Sequence, residues 1–163
     1  MSFKDSIVGL SKNEYGPEYR DHVFEMYKLY VEMADKVSER RQSANSFFLT
    51  INSAIVALVG YVHLSQDVVP GITSFFWLVA AAGMVLCFLW YRLIRSYKDI
   101  NSGKFKVIHA IEQQLPLHLY DAEWIALGEG KDPKLYLPFT HIEIYVPWVF
   151  LLIHLFVLVR SLI

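Results

Sequence analysis

The sequence predicts an all-α membrane protein with a transmembrane hairpin, a third span and long amphipathic helices on the cytoplasmic side. Two observations carry that reading. Gln42–Gln66 contains no Asp, Glu, Lys or Arg, Val68–Tyr91 contains none either, and only Asp67 separates them. Each stretch exceeds the ~20 residues that a helix rising ~1.5 Å per residue needs to cross a ~30 Å hydrocarbon core. The second observation is where the basic residues fall. Of the 15 Lys and Arg, seven lie in 1–41, seven in 92–143, and the last is Arg160. None lies in the turn at 63–71, so the positive-inside rule puts that turn outside and the N-terminus in the cytoplasm.

Composition agrees and narrows the function. Hydrophobic residues make up 55% of the 163 and mean hydropathy is +0.33, high for a water-soluble domain. Net charge is −1, which gives no electrostatic case for nucleic acid as a partner. With Cys87 as the one cysteine, no disulfide framework or thiolate zinc site can form within one chain. The first 40 residues are charged and lack the short apolar core of a secretory signal peptide.

In chain order, the organisation divides into a cytoplasmic arm and amphipathic helix (1–41), the hairpin (42–94), a cytoplasmic helical return (95–143) and a third span (144–163). Residues 1–16 read as an irregular arm, and Gly16-Pro17 as an N-cap followed by Pro at the first helical position. From there Val23, Tyr27, Tyr30, Ala34 and Val37 recur at helical spacing, with acidic residues on the remaining surface. With no Pro or Gly before the first arm, one helix of over ~40 residues is expected, long for a globular helix. Its stripe packs either on the rest of the chain or on a neighbouring subunit.

Within the first arm Ser46, Thr50, Ser53, Ala57 and Gly60 share one helical face. Small residues on one face let membrane helices approach closely, and a polar pore lining has the same pattern. They are the candidate oligomer or pore face. Asn52 needs a helix or water as partner rather than lipid. The second arm, Thr73 to Leu93, is bulkier. Ala80–Gly83 supplies a close-packing patch, Cys87 an apolar filler, and Trp77, Trp90 and Tyr91 interfacial belts.

The return should contain a helix from Gly103 to Gln114 capped by Asn101 and Ser102, stopped by Pro116. A second helix, Asp121–Leu127, starts at its own Asp cap and closes at Gly128. Phe105, Ile108, Ile111 and Trp124 are expected to form a small cytoplasmic core with the 17–41 helix. Thr140-His-Ile-Glu143 reads as a capping box before the last apolar run. Pro147 is placed to kink that run, with 141–146 along the interface.

No catalytic motif is present. Gly128-Glu-Gly-Lys131 resembles a phosphate loop, but position 125 is Ile where that loop needs Gly, and Asp132 follows the Lys. The six histidines show no metalloprotease spacing or His/Cys cluster. No enzymatic activity, cofactor or metal is expected. His154 stands midway along the third span, where an ionisable group is expensive. It is either a relay for protons or ions, or an imidazole hydrogen-bonded to a neighbouring helix, the commoner case.

Three stretches carry a family resemblance. They are Glu39–Thr50; Tyr91–Lys98, running on through Lys104–Ile108 to Leu115-Pro116; and Glu123-Trp124 with Tyr136–Glu143 and Val146–Phe150. Together they resemble the RipA family of small octameric bacterial inner-membrane proteins, over roughly residues 20–155. The resemblance implies a bacterial cytoplasmic membrane and a homo-oligomer, and it brings no enzymatic activity. The first half is also similar to the two-span SLATT-type effectors of bacterial conflict systems, thought to form pores. The long return and third span depart from that pattern. A ring-like homo-oligomer in contact with lipid follows, acting as a membrane scaffold or organiser, with an ion-conducting pore or effector as the alternative.

Overall fold

The computed structural model describes residues 7, 9–64 and 75–162. The 65–71 part of the polar turn lies outside them. Every element among the described residues is helical: α1 Lys12–Tyr15, α2 Tyr19–Leu64, α3 Phe76–Glu112, α4 Leu119–Ala126, a 3-10 turn Gly128–Gly130, α5 Phe139–Glu143 and α6 Val146–Leu162. Three stretches are long and apolar enough to cross a membrane: α2, α3 and Phe139–Leu162, whose best windows have mean hydropathy of 1.8, 1.8 and 2.3.

The chain forms two compact units. A polar unit contains Met1–Glu39 and Lys98–Leu137; a membrane unit contains Arg40–Tyr97 and Pro138–Ile163.

In the polar unit, the Val23–Val37 stripe turns inward on its own chain. Val23 and Ala34 are buried, and Ile108 of α3 is fully buried. Tyr27, Tyr30 and Val37 of the stripe are only half-buried, so part of it stays open on the single chain. Lys104 sits 4.5 Å above the Tyr30 ring, and Tyr19 donates to Gln114 at 2.8 Å. Phe24, Met26 and Met33, which the sequence reads as widening the stripe, are exposed instead, as is Leu29.

Several local expectations change. Residues 12–15 are not irregular: α1 is a single turn, and the Ser11 backbone N–H donates to the Glu14 carboxylate at 2.9 Å. No separate helix begins at Gly103, because α3 continues through it to Glu112. One interior glycine costs only about 1 kcal/mol, less than is gained by burying Ile108 one face further on. Asn101 therefore caps nothing. Helix α4 starts at Leu119 with His118, not Asp121, at its N-cap position. Helix α5 begins after Pro138, so Thr140 is already inside it and no capping box forms. Instead Thr140 accepts from Arg41 at 3.5 Å, and Glu143 lies 3.9 Å from the same guanidinium. Pro147 is the second residue of α6, in a first turn that needs no N–H from it.

In the membrane unit, α3 supplies the inner face at steps of three and four: Ala80, Gly83, Cys87, Trp90 and Ile94, all buried. Trp90 joins the other helices, donating to Asn45 at 2.8 Å, stacking on Phe48 and tilting against Phe150. Leu58, Phe88, Leu152 and Phe156 point outward and are exposed, as lipid-facing side chains are.

Candidate functional site

Asn52, Cys87 and His154 come from three helices and meet in the membrane unit, each at most 1% exposed. The Asn52 amide donates to the Phe48 carbonyl one turn back at 2.8 Å. That leaves Oδ1 as the acceptor for both neighbours: the Cys87 thiol at 3.3 Å and His154 Nε2 at 3.0 Å. The amide geometry thus assigns the imidazole proton to Nε2. Thiol and imidazole share an acceptor instead of facing each other as nucleophile and base. Chemically, this is a three-helix lock in a region where an unmet polar group is expensive.

Gly83 makes the lock close. A Cβ at that position would lie 2.4, 2.5 and 2.6 Å from three atoms of the His154 ring. Only a residue without a side chain lets the imidazole lie against α3. The sequence singles out Asn52 and His154, and the structure brings these two together. It gave no role to Gly83 beyond close packing and none to Cys87 beyond filling. The available signal was their i, i+4 spacing on the face that also carries Trp90 and Ile94.

The small-residue face lies elsewhere. Ser46, Thr50, Ser53 and Ala57 are exposed on the single chain, and a Cβ on half-buried Gly60 would meet nothing within 4 Å. At about 100° per residue the face is centred about 120° around α2 from Asn52. Neither α3 nor α6 fills it.

A second buried polar group sits in the polar unit, and sequence reasoning missed it. Glu112, fully buried at the end of α3, accepts from the Tyr27 hydroxyl at 2.9 Å. Its carboxylate also accepts from the backbone N–H of Tyr120 at 3.0 Å and of Asp121 at 3.3 Å. These are free donors in the first turn of α4, so α3 caps α4 with a charge suited to the positive end of a helix. Burial first, then the neighbouring Glu112, push the Tyr27 phenol up to about 12. Tyr27 therefore remains a donor throughout the neutral range. His109 lies 3.3 Å from Asp121, and Phe105 packs edge-on against Tyr120 at 5.6 Å.

Of the expected cytoplasmic core, Ile108 is fully buried and Phe105 and Ile111 are half-buried. Trp124 is a correction: it is 41% exposed. Its ring instead covers Gly130, where a Cβ would approach to 3.0 Å. Among the described residues, no group of three or more His, Cys, Asp or Glu is arranged to hold a metal ion.

A model of the octameric membrane protein family (8xMP) matches residues 24–163. No curated protein and no solved structure matches the chain. The matching family carries neither the RipA nor the SLATT name.

Proposed function

The chain belongs to the octameric membrane protein family, and from that premise we propose that it is a non-enzymatic membrane scaffold or organiser working as a ring of eight identical copies. The RipA resemblance adds the finer reading: a bacterial cytoplasmic membrane, with the N-terminus inside as the basic residues suggest. Its partners are membrane lipids and itself.

One observation carries the scaffold reading. Asn52, Cys87 and His154, the polar side chains buried midway along the three apolar helices, are bonded to one another inside the protomer. The outer surface is left with bulky apolar side chains and the small face of Ser46, Thr50, Ser53, Ala57 and Gly60, which suits another helix better than lipid tails. Native mass spectrometry of Ser53→Leu and Gly60→Leu tests it. Smaller species in place of the wild-type ring are expected; an intact ring in both variants removes the small face from assembly.

A second reading has its own observation. The side chains of Ser46, Thr50 and Ser53 are exposed on the protomer, and turned toward a symmetry axis they would line a polar path, as the SLATT resemblance suggests. A hydrated centre lined by these residues favours the pore, and a lipid-filled or plugged centre favours the scaffold.

A further inference from the structure

The polar unit leaves two apolar surfaces on opposite sides of α2. One is a groove of about 680 Å³ lined by Tyr19, Phe24, Tyr27, Leu115, Leu117 and Leu119. Phe24, Leu117 and Leu119 are 48%, 67% and 61% exposed there. The other is a ridge: Met26, Leu29 and Met33, spaced three and four residues apart and 55%, 59% and 44% exposed. At about 100° per residue, ridge and Phe24 lie nearly 180° apart around the helix.

From this arrangement we infer that the groove takes the Met26–Leu29 end of the ridge from a second copy of this chain. The inference rests on the oligomeric reading above and gives it an interface. Lipid is a poor cover for these side chains. Phe24 precedes Glu39 by 15 residues of α2, about 22 Å of helical rise, whereas the headgroup layer is only about 5–8 Å thick on each side. Exposed apolar surface of this kind in water marks a protein contact.

The geometry also selects a copy of the same chain. Rotation about a ring axis keeps each residue at its own height, so a groove must meet what stands level with it. Met26 and Leu29 stand level with Phe24 and Tyr27 on the same helix. Because ridge and groove are different surfaces on opposite sides, the contact is head-to-tail, the kind that closes into rings. The rim supplies charge as well. Arg20, on the groove's edge, and its neighbour Asp21 have no ion pair among the described residues. Glu18 and Glu25 border the ridge at that height, held by His22 and Lys28 of their own helix at 3.8 and 2.6 Å, and being exposed they keep lone pairs that the neighbour can present to Arg20. Unbranched Met26 adapts well to such a groove.

Cross-linking in isolated membranes tests this directly. The full chain carrying Leu29→Cys with Leu117→Cys is treated with a short bis-maleimide, beside each single variant and the wild type. A ladder of covalent oligomers is expected from the double variant alone. A double variant that stays monomeric, while native mass spectrometry still finds the assembly, overturns the inference and leaves the oligomeric reading intact. Dimers from either single variant overturn the head-to-tail arrangement. A wild type that is monomeric by native mass spectrometry overturns both readings. Both substituted side chains are exposed on the protomer, so folding should be unaffected. As a second measurement, Leu29→Glu should reduce the ring to smaller species, and an intact ring in that variant contradicts the contact.

Discussion

Midway along the apolar helices of the membrane unit the fully buried polar side chains are an amide, a thiol and an imidazole; in the polar unit the fully buried one is a carboxylate. Asn52 accepts from Cys87 and His154 and returns its own N–H to Phe48. Glu112 accepts from Tyr27 and from two N–H groups of α4. The difference follows from what surrounds each. A carboxylate within the apolar span is costly, so three short polar side chains hold the helices together there. In the polar unit, a helix start supplies the positive field that a buried carboxylate needs. Packing differs too. Between membrane helices there is no hydrophobic drive, so close approach decides. In the polar unit, burial of Val23, Ala34 and Ile108 supplies that drive.

The largest break should come from Gly83→Ala. Its new methyl would enter the space of the His154 ring, and overpacking of that kind costs about 1–3 kcal/mol, with the upper end expected here. Thermal unfolding in detergent measures it, and an unchanged midpoint would mean the imidazole is not packed against α3.

Next is the contrast between Glu112→Leu and Asn52→Leu. Removing the carboxylate strands the Tyr27 hydroxyl and the α4 donors, at about 1–3 kcal/mol for buried unmet groups. Removing the amide likewise strands the His154 Nε2–H and the Cys87 thiol, but measured losses of interhelical bonds inside a membrane average only about 0.6 kcal/mol each, because the unfolded chain in the membrane also finds partners. Glu112→Leu should therefore be the more damaging in the same unfolding assay. The reverse order would show that the membrane node matters more than its individual bonds suggest.

Trp124→Ala should be milder than either, about 1 kcal/mol, since a fully buried aromatic loses about 3–5 and this ring is 41% exposed. A loss in the buried range would show that the ring is covered in the assembled protein. The smallest effect concerns pH. Because folding raises the Tyr27 phenol from its ordinary 10.0 to about 12, the folded chain holds a proton that the unfolded chain releases first. That contribution is complete below pH 10 and disappears as pH rises toward 12. Unfolding followed across this window should show a shallower decline in Tyr27→Phe than in wild type; equal slopes would remove the link.

The helical class and the three apolar helices were legible because periodicity and charge are properties of each segment by itself. So was the isolation of Asn52 and His154, since a polar residue in an apolar run is conspicuous without its partner. Glu112 was not legible. It is one acidic residue among many in the return, and its role depends on where α4 begins, a boundary that Asp121 misplaced by imitating a cap. Gly83 was hidden for a related reason: a glycine among alanines does not say which ring lies on it. Gly103 misled in the opposite direction, because tertiary burial of Ile108 outweighs a single weak helix former.

The most direct measurement is ion flux through the purified wild-type assembly reconstituted in liposomes, with its subunit number fixed in parallel by native mass spectrometry. A scaffold should have the mass of eight copies and pass no current above protein-free liposomes. A conductance that falls when Ser53 is replaced by Leu would contradict the scaffold reading and assign the exposed face of Ser46, Thr50 and Ser53 to a pore.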